Sequence, residues 1–516
     1  MRKVNILSTA IAGILGVGAL SGVAHATTTA SVVLNISGAT ATDNTLKTLF
    51  LRAGTVAAPR VCRGPTSTTP STIDVYIDGT DVTKSTNIGI LCALEGTLTA
   101  DDGVTTQSAG TNVAFVKESA GGSDRGTVFV ADATAMAFRS TTDFTNCSAG
   151  TTQNAGTITS FPGHQQFILH TGCTAVTTIA PDVGVADVDP QLFNVGTQAI
   201  SQAQINKLTS SPLYQPMFGV AVSLNTYRAL QAAQGLNTAS DAKADVPSLT
   251  SGQVRGLFGE GVFTNWDAVV NATGSPVVAA GSQLYVCRRG DESGTQAATA
   301  QYFLNERCAL SSGVLKFKNA SDTTTQQAGE KYDRVTDDAK TVFAGSGGGE
   351  VRTCLDQHND LGQYAIGLLG TDSVYDNFGG AGGAANAGAG SNQWRYVAID
   401  GRKPDLVSVA NGQYDFVMEN VLNRRTTPAL TGGKLVLADY IKQSFANTDV
   451  IATLLIKSMP HGYTGGLAGG LSGTPNAIPV TTANLDSNPV SAFTKTPGSS
   501  VNNCGPAIAV TATSAK

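Results

Sequence analysis

The stretch "LYVCRRGDESGTQAATAQYFL", Leu284 to Leu304, decides how this chain is read. It opens as a short apolar run that ends in Arg288 and Arg289. It then crosses Gly-Asp-Glu-Ser-Gly-Thr and continues as an alanine-rich helical pattern, with Ala298, Tyr302 and Phe303 packing beneath. A strand that turns into a helix in this way delivers its last residues to the carboxyl edge of a sheet, where open α/β sheets bind ligands. Arg289 puts a permanently charged planar fork there. Ser293-Gly294-Thr295 falls on the first helical turn, whose backbone N–H groups have no partner inside the helix and carry the positive end of its dipole. Gly294 lets an oxygen come close to the main chain, and Ser293 and Thr295 add hydroxyl donors. The set suits a tetrahedral oxyanion. Asp291 is the expected partner of Arg289, holding the fork in orientation.

Other stretches repeat the design. "SGAT" (Ser37–Thr40) and "ESAGGS" (Glu118–Ser123) each place small hydroxyl residues and glycine after an apolar strand, and "GVADVD" sets Asp187 after another. Donors from several strand ends plus one carboxylate fit an anion that still carries a proton. A carboxylate repels a fully ionised oxyanion but accepts a hydrogen bond from a protonated one. A buried acceptor left unpaired costs roughly 1–3 kcal/mol, which disfavours sulfate.

The rest of the chain sets the context. At 516 residues, 41% apolar and only 14% charged, with 58 glycines, it is long enough for two or three domains of a loop-rich, exported style. Residues 1–26 read as a cleavable signal peptide: a basic start at Arg2-Lys3, an apolar run, and Ala24-His25-Ala26 before the cut. Its removal takes two positive charges from a formal net charge of −5, leaving −7, which argues against a nucleic-acid partner. No later stretch is apolar enough to span a bilayer, so no stable membrane insertion is expected after cleavage. The eight cysteines, Cys62, Cys92, Cys147, Cys173, Cys287, Cys308, Cys354 and Cys504, read as four disulfides in an oxidising compartment. Neighbour pairing (62–92, 147–173, 287–308, with 354–504 left over) is the simplest expectation.

Strands alternating with helices argue for α/β architecture with largely parallel sheets. "ASVVLNISGATATDNTLKTLFL" reads as strand, turn at Gly38, then a helix with Leu46, Leu49 and Phe50 on one face. "PMFGVAVSLNTYRAL" is a strand running into a helix. "SLTSGQVRGLFGEGVFTNWDAV" offers Ser248 or Thr250 as an N-cap and Val254, Leu257 and Phe258 as the apolar face. Two Thr/Gly-rich, cysteine-bearing insertions lie near 52–111 and 128–182, and "AGGAANAGAGSNQ" reads as a flexible surface loop. The expected domains are 27–215 with 405–516, discontinuous, and 216–404, with a hinge between them and the anion in the cleft.

The order of these motifs resembles the periplasmic phosphate-binding proteins of phosphate ABC transporters (PstS-like), within the two-domain type II solute-binding fold. The resemblance rests on "ISGAT", "ESAGG", "VGVADVDP", "LTSGQVRGLFGEGVFTNW", "RRGDESGT", "GQYAIGLLGTDSV" and "VAIDGRKP" with "NGQYDF", spread over the whole mature chain. It implies inorganic phosphate as ligand, a periplasmic or secreted location, and a membrane phosphate permease as partner. Carried over by motif, Thr40 binds through its hydroxyl or amide, Ala41 through its backbone N–H, and Ser119 stands for the serine before a Gly-Gly turn. Asp187 accepts the proton of monohydrogen phosphate, and Arg289, Ser293, Gly294 and Thr295 complete the ligand set, with Asp291 behind Arg289. The chain departs from the family's pattern at Ala41 (usually aromatic), Ala120 and Ala186 (serines), Glu292 (glycine) and the two insertions.

Two other functions bear weighing. Hydrolysis needs a metal cluster or an activated nucleophile with its base. His164, His170, His358 and His461 form no tight metal spacing, and "GDESG" is no nucleophile elbow, so neither an enzyme such as a secreted phosphatase nor a cofactor is expected. An extracellular or cell-surface interaction protein, keeping the solute-binding fold and using the insertions for contact, is the stronger rival.

Overall fold

The computed structural model describes residues 29–305, 340–371, 393–450, 454, 493–495, 503–506 and 508–509, apart from 57, 65–71, 145, 159–162, 194–199, 260–261, 406–407, 410–411 and 448–449. The signal peptide, Cys308, His461 and the "AGGAANAGAGSN" loop lie outside the described residues.

The elements used below run in chain order. They are β1 (Val32–Gly38), α1 (Asp43–Leu51), β2 (Asp74–Ile77), β3 (Asn87–Ala93), β4 (Asn112–Glu118), β5 (Thr151–Gln153), β6 (Phe167–His170) and β7 (Val183–Ala186), followed by β8 (Leu208–Pro212), β9 (Phe218–Ser223) and α2 (Leu224–Ala233). Then come α3 (Ser251–Phe258), β10 (Leu284–Arg289), α4 (Gly294–Leu304), β11 (Lys340–Gly345), α5 (Gly348–Asp360), β12 (Tyr364–Gly370), β13 (Trp394–Tyr396), β14 (Val421–Arg425) and α6 (Gly432–Ala446).

The protein is α/β, built on two main sheets. A nine-stranded sheet has the order β8-β14-β7-β1-β4-β3-β2-β6-β5, and a five-stranded sheet the order β11-β10-β12-β9-β13. The sheets are mixed rather than largely parallel. The heart of each matches the expectation: β7, β1 and β4 run parallel in the first, and β11, β10 and β12 in the second. Antiparallel neighbours flank both groups.

Side-chain alternation along the strands covers both faces of the large sheet. Leu34 and Ile36 of β1 and Val113 and Phe115 of β4 join α1 (Leu46, Leu49, Phe50) and α6 (Leu437, Ile441) in one core. The rings of Phe50 and Phe115 stack at 4.0 Å. The intervening Ala114 and Val116 meet Met136 and Phe138 on the other face. Each such apolar side chain contributes roughly 1.5–3 kcal/mol when fully buried. In the second sheet Leu284 and Val286 pack under α3 and α4, while Cys287 faces α5 through Val351, Cys354 and Leu355. Helix α3 is capped by Thr250, not Ser248, in a reciprocal box with Gln253.

The two insertions do not form separate lobes. They interleave and extend one edge of the large sheet: β3 pairs antiparallel with β4, β2 with β3, and β6, from the second insertion, runs parallel to β2 from the first. Disulfides join Cys62 to Cys92 and Cys147 to Cys173, as neighbour pairing predicts. The third prediction is corrected, because Cys287 on β10 bonds Cys354 on α5 and not Cys308. Strand and helix are stacked face to face there, which brings together cysteines 67 residues apart. Cys504 is also disulfide-bonded, but not to Cys354.

The chain passes between the sheets at 213–218 and 416–420, which run side by side. Leu213 N–H donates to the Asn420 carbonyl at 2.8 Å, Asn420 N–H to Tyr214 at 2.7 Å and Phe218 N–H to Phe416 at 3.1 Å.

Candidate functional site

The carboxyl ends of β7, β1 and β4 lie side by side, so the residues that follow them share one edge. After β1, Gly38 at φ 92° makes the turn into a short 3-10 segment, Thr40–Thr42. After β4, residues 119–122 lead into a second 3-10 turn, Ser123–Gly126. That turn lies directly on the sheet because Gly126 and Gly184 have no side chains. A Cβ on Gly126 would collide with the backbone of Val185 in β7, and one on Gly184 with the backbone of Gly126 in the turn. Ser37 Oγ donates to the Arg125 carbonyl at 2.7 Å and Asn423 Nδ2 to that of Gly126 at 2.9 Å, locking the turn over the end of β7.

Its first residue, Ser123, is thereby set against Asp187. Ser123 Oγ donates to Asp187 Oδ2 at 3.1 Å and accepts from the Asp187 N–H at 3.2 Å. Both residues are buried, at 1% and 3% exposure. The second sheet meets them here through the start of α4. A Cβ added to Gly294 would stand 2.6 Å from Ser123 Oγ and 2.7 Å from Asp187 Cβ, so only glycine fits. Next to this contact, Asp124 N–H donates to the Glu292 carbonyl at 3.2 Å.

Ser293 is the N-cap of α4, yet its hydroxyl makes no capping bond. Its Oγ is buried and has no hydrogen-bond partner among the described residues. The first bond inside the helix is from Ala297 N–H to the Ser293 carbonyl at 3.0 Å, so the N–H groups of Gly294, Thr295 and Gln296 precede the helical ladder. The start of α4, with the buried Ser293 hydroxyl and N–H groups outside the helical ladder, therefore lies against Asp187 of the opposite sheet at Gly294.

Two expected roles change. Asp291 pairs with Arg288, Nη1 to Oδ1 at 3.0 Å, and not with Arg289. Consecutive strand residues point to opposite faces, so one aspartate is not shared by both arginines. Arg289, buried at 5% exposure, is instead held by the Ser346 carbonyl at 2.7 Å, from the loop that opens α5. Ser119 is fully buried and donates its one proton to Asp43 Oδ2 at 2.5 Å. Asp43 in turn pairs with Lys117 at 3.0 Å. Ser119 thus belongs to a buried polar network under the turn. Thr40 and Ala41 are half-buried at the end of β1, and Thr295 is buried in the first turn of α4.

Burial pushes the carboxyls of Glu118 and Asp124 up to about 7, with Glu292 adding to the effect at Asp124. Burial also raises Asp189. Sequence reasoning passed over Ser123 and Asp124. Ser123 closes the quoted "ESAGGS", but its role depends on the glycine contact that seats the turn. His164, His170 and His358 are buried, and His170 bonds Asp74 at 3.0 Å. Cys287, Cys354 and His358 come close enough to hold an ion, but the two sulfurs are joined in the disulfide. No helix among the described residues is long and apolar enough to cross a membrane.

No protein-family model and no curated protein matches the chain. The solved structures similar to it include a phosphate ABC transporter substrate-binding protein with bound phosphate from Clostridium perfringens, 14% identical over 54% of this chain and 78% of that one, TM-score 0.31. An ABC-type phosphate transport receptor from Vibrio cholerae is 14% identical over 50% of this chain and 73% of that one, TM-score 0.28. A phosphate-binding protein from Stenotrophomonas maltophilia is 14% identical over 53% of this chain and 70% of that one, TM-score 0.30. At these scores the functional argument rests on the site's own residues.

Proposed function

We propose that the chain is an exported, non-enzymatic binding protein for inorganic phosphate, held where the start of α4 meets the turns of the large sheet. The observation that carries this reading is the buried, uncapped hydroxyl of Ser293 at a helix start, beside a contact with Asp187 and Ser123 that only Gly294 permits. Helix-start N–H groups favour a multiply bonded oxyanion. Asp187 supplies the acceptor that a protonated anion satisfies and sulfate does not. Arg289, Thr295, Thr40 and Ala41 complete the proposed ligand set, whereas Ser119 acts by supporting the turn.

The two units are 27–215 with 405–516, and 216–404. They close on the anion by bending at the paired crossings, a hinge motion in which both sides donate to one ligand. A micromolar dissociation constant needs about −8.2 kcal/mol. A handful of charge-assisted bonds at roughly 1.5–3 kcal/mol each supply that before the costs of closure. Signal cleavage would leave the protein periplasmic or secreted, and delivery to a membrane phosphate permease is the role this ligand suits.

The test is calorimetric titration of the mature protein, stripped of bound anion, with phosphate and with sulfate. Phosphate is expected to bind and sulfate not. Arg289→Ala should lose phosphate, and Asp187→Asn should admit sulfate. No phosphate binding by the folded wild type would end this reading.

A further inference from the structure

We propose that this site, taken as the phosphate site argued above, binds its ligand in a complex that contains one more proton than Asp187 alone calls for. A site with a single carboxylate takes the monohydrogen dianion, one proton shared with one acceptor. Here two more acids stand where the sheets meet. Asp124 directly follows Ser123, is 2% exposed, and has Oδ1 without a hydrogen-bond partner among the described residues. Glu292 directly precedes Ser293, half-buried, with its carbonyl on the Asp124 N–H at 3.2 Å. No side chain screens the two segments, since a Cβ on Gly122 would stand only 2.9 Å from the Glu292 carbonyl oxygen.

The charges around this contact leave it acidic. Arg288 and Asp291 cancel each other in their ion pair. The charges set against Asp124 are then Arg125 and Glu292, of opposite sign, with Asp187 held by the neighbouring Ser123. A dianion entering such a set adds charge to an existing negative excess in a poorly solvated place, and a proton relieves it. Burial first, and Glu292 second, hold the Asp124 carboxyl up to about 7 against the opposing pull of Arg125. Whether the added proton rests on the phosphate or on Asp124, the complex contains it.

The experiment is phosphate titration of the full mature chain at about pH 6 and about pH 8, between which inorganic phosphate passes from mainly one negative charge to mainly two. Wild-type affinity is expected to fall by about tenfold or more from the lower to the higher pH. Asp124→Asn and Glu292→Gln should each flatten that fall. Glu292 is half-buried and in no ion pair among the described residues, so Glu292→Gln decides the matter if Asp124→Asn does not fold. Affinity that is level or rises with pH, as a site for the dianion requires, overturns the proposal. So does a wild-type slope retained in Glu292→Gln. Absence of binding at both pH values would instead end the phosphate reading on which it rests.

Discussion

Two serines that follow strands in similar Gly-rich turns end up in opposite states. Ser119, after β4, gives its proton to Asp43 at 2.5 Å, in a network with the buried Lys117. Ser293, after β10, is equally buried and keeps its hydroxyl uncommitted at a helix start. The difference lies in what the surroundings demand. Lys117 sits under the Gly38 turn, bonded to the carbonyls of Gly38 and Ala39, and its charge requires the Asp43 carboxylate, which then recruits Ser119. No described residue near Ser293 makes such a claim, so its dipole remains available to a ligand. A buried hydroxyl is a ligand candidate only when the fold has not already used it.

The contrast can be broken or sharpened by mutation. The largest effect is expected from Asp43→Ala, which leaves Lys117 buried without its counter-charge. Urea unfolding should show a loss of about 3–5 kcal/mol. A loss below about 1 kcal/mol would mean the network does not hold the turn. Next, Ser119→Ala should cost about 1.5–3 kcal/mol of stability, the worth of a hydrogen bond to a charged group, and change phosphate affinity little. Ser293→Ala should do the reverse: phosphate binding about tenfold weaker, unfolding within about 0.5 kcal/mol of wild type. If both serines moved the same quantity, the contrast would collapse.

The mildest probe is pH. Glu118 and Asp124 titrate at about 7 in the folded chain, above their ordinary 4.5 and 3.8. The folded state therefore holds protons that the unfolded chain releases. The stability these groups contribute is fully present below about pH 4 and is lost as pH climbs through about 7. Unfolding midpoints at about pH 5 and about pH 8 should differ in that sense, and Glu118→Gln should narrow the gap. An unchanged gap would place the titration elsewhere.

What was legible in the sequence was local. The Gly38 turn, the apolar face of α1, the Thr250 cap and the strand-to-helix passage at Ser293 each depend on residues a few positions apart. What was illegible depended on contacts between distant segments. The Cys287–Cys354 bond follows from α5 lying on β10, and the weaving of the two insertions follows from β2 pairing with β6. Spacing made Asp291 the partner of Arg289, but strand alternation and the Ser346 carbonyl gave it to Arg288. Ser123 was in view from the start, yet its hold on Asp187 appears only once the turn is laid on Gly184.

The most direct test of the central claim is phosphate titration of Gly294→Ala. The added methyl occupies the place where Ser123 and Asp187 approach the start of α4. If the anion is bound there by both sides at once, affinity should fall about a hundredfold, ~2.7 kcal/mol, in a protein that still folds. Wild-type affinity in Gly294→Ala would contradict the account and move the anion away from this contact.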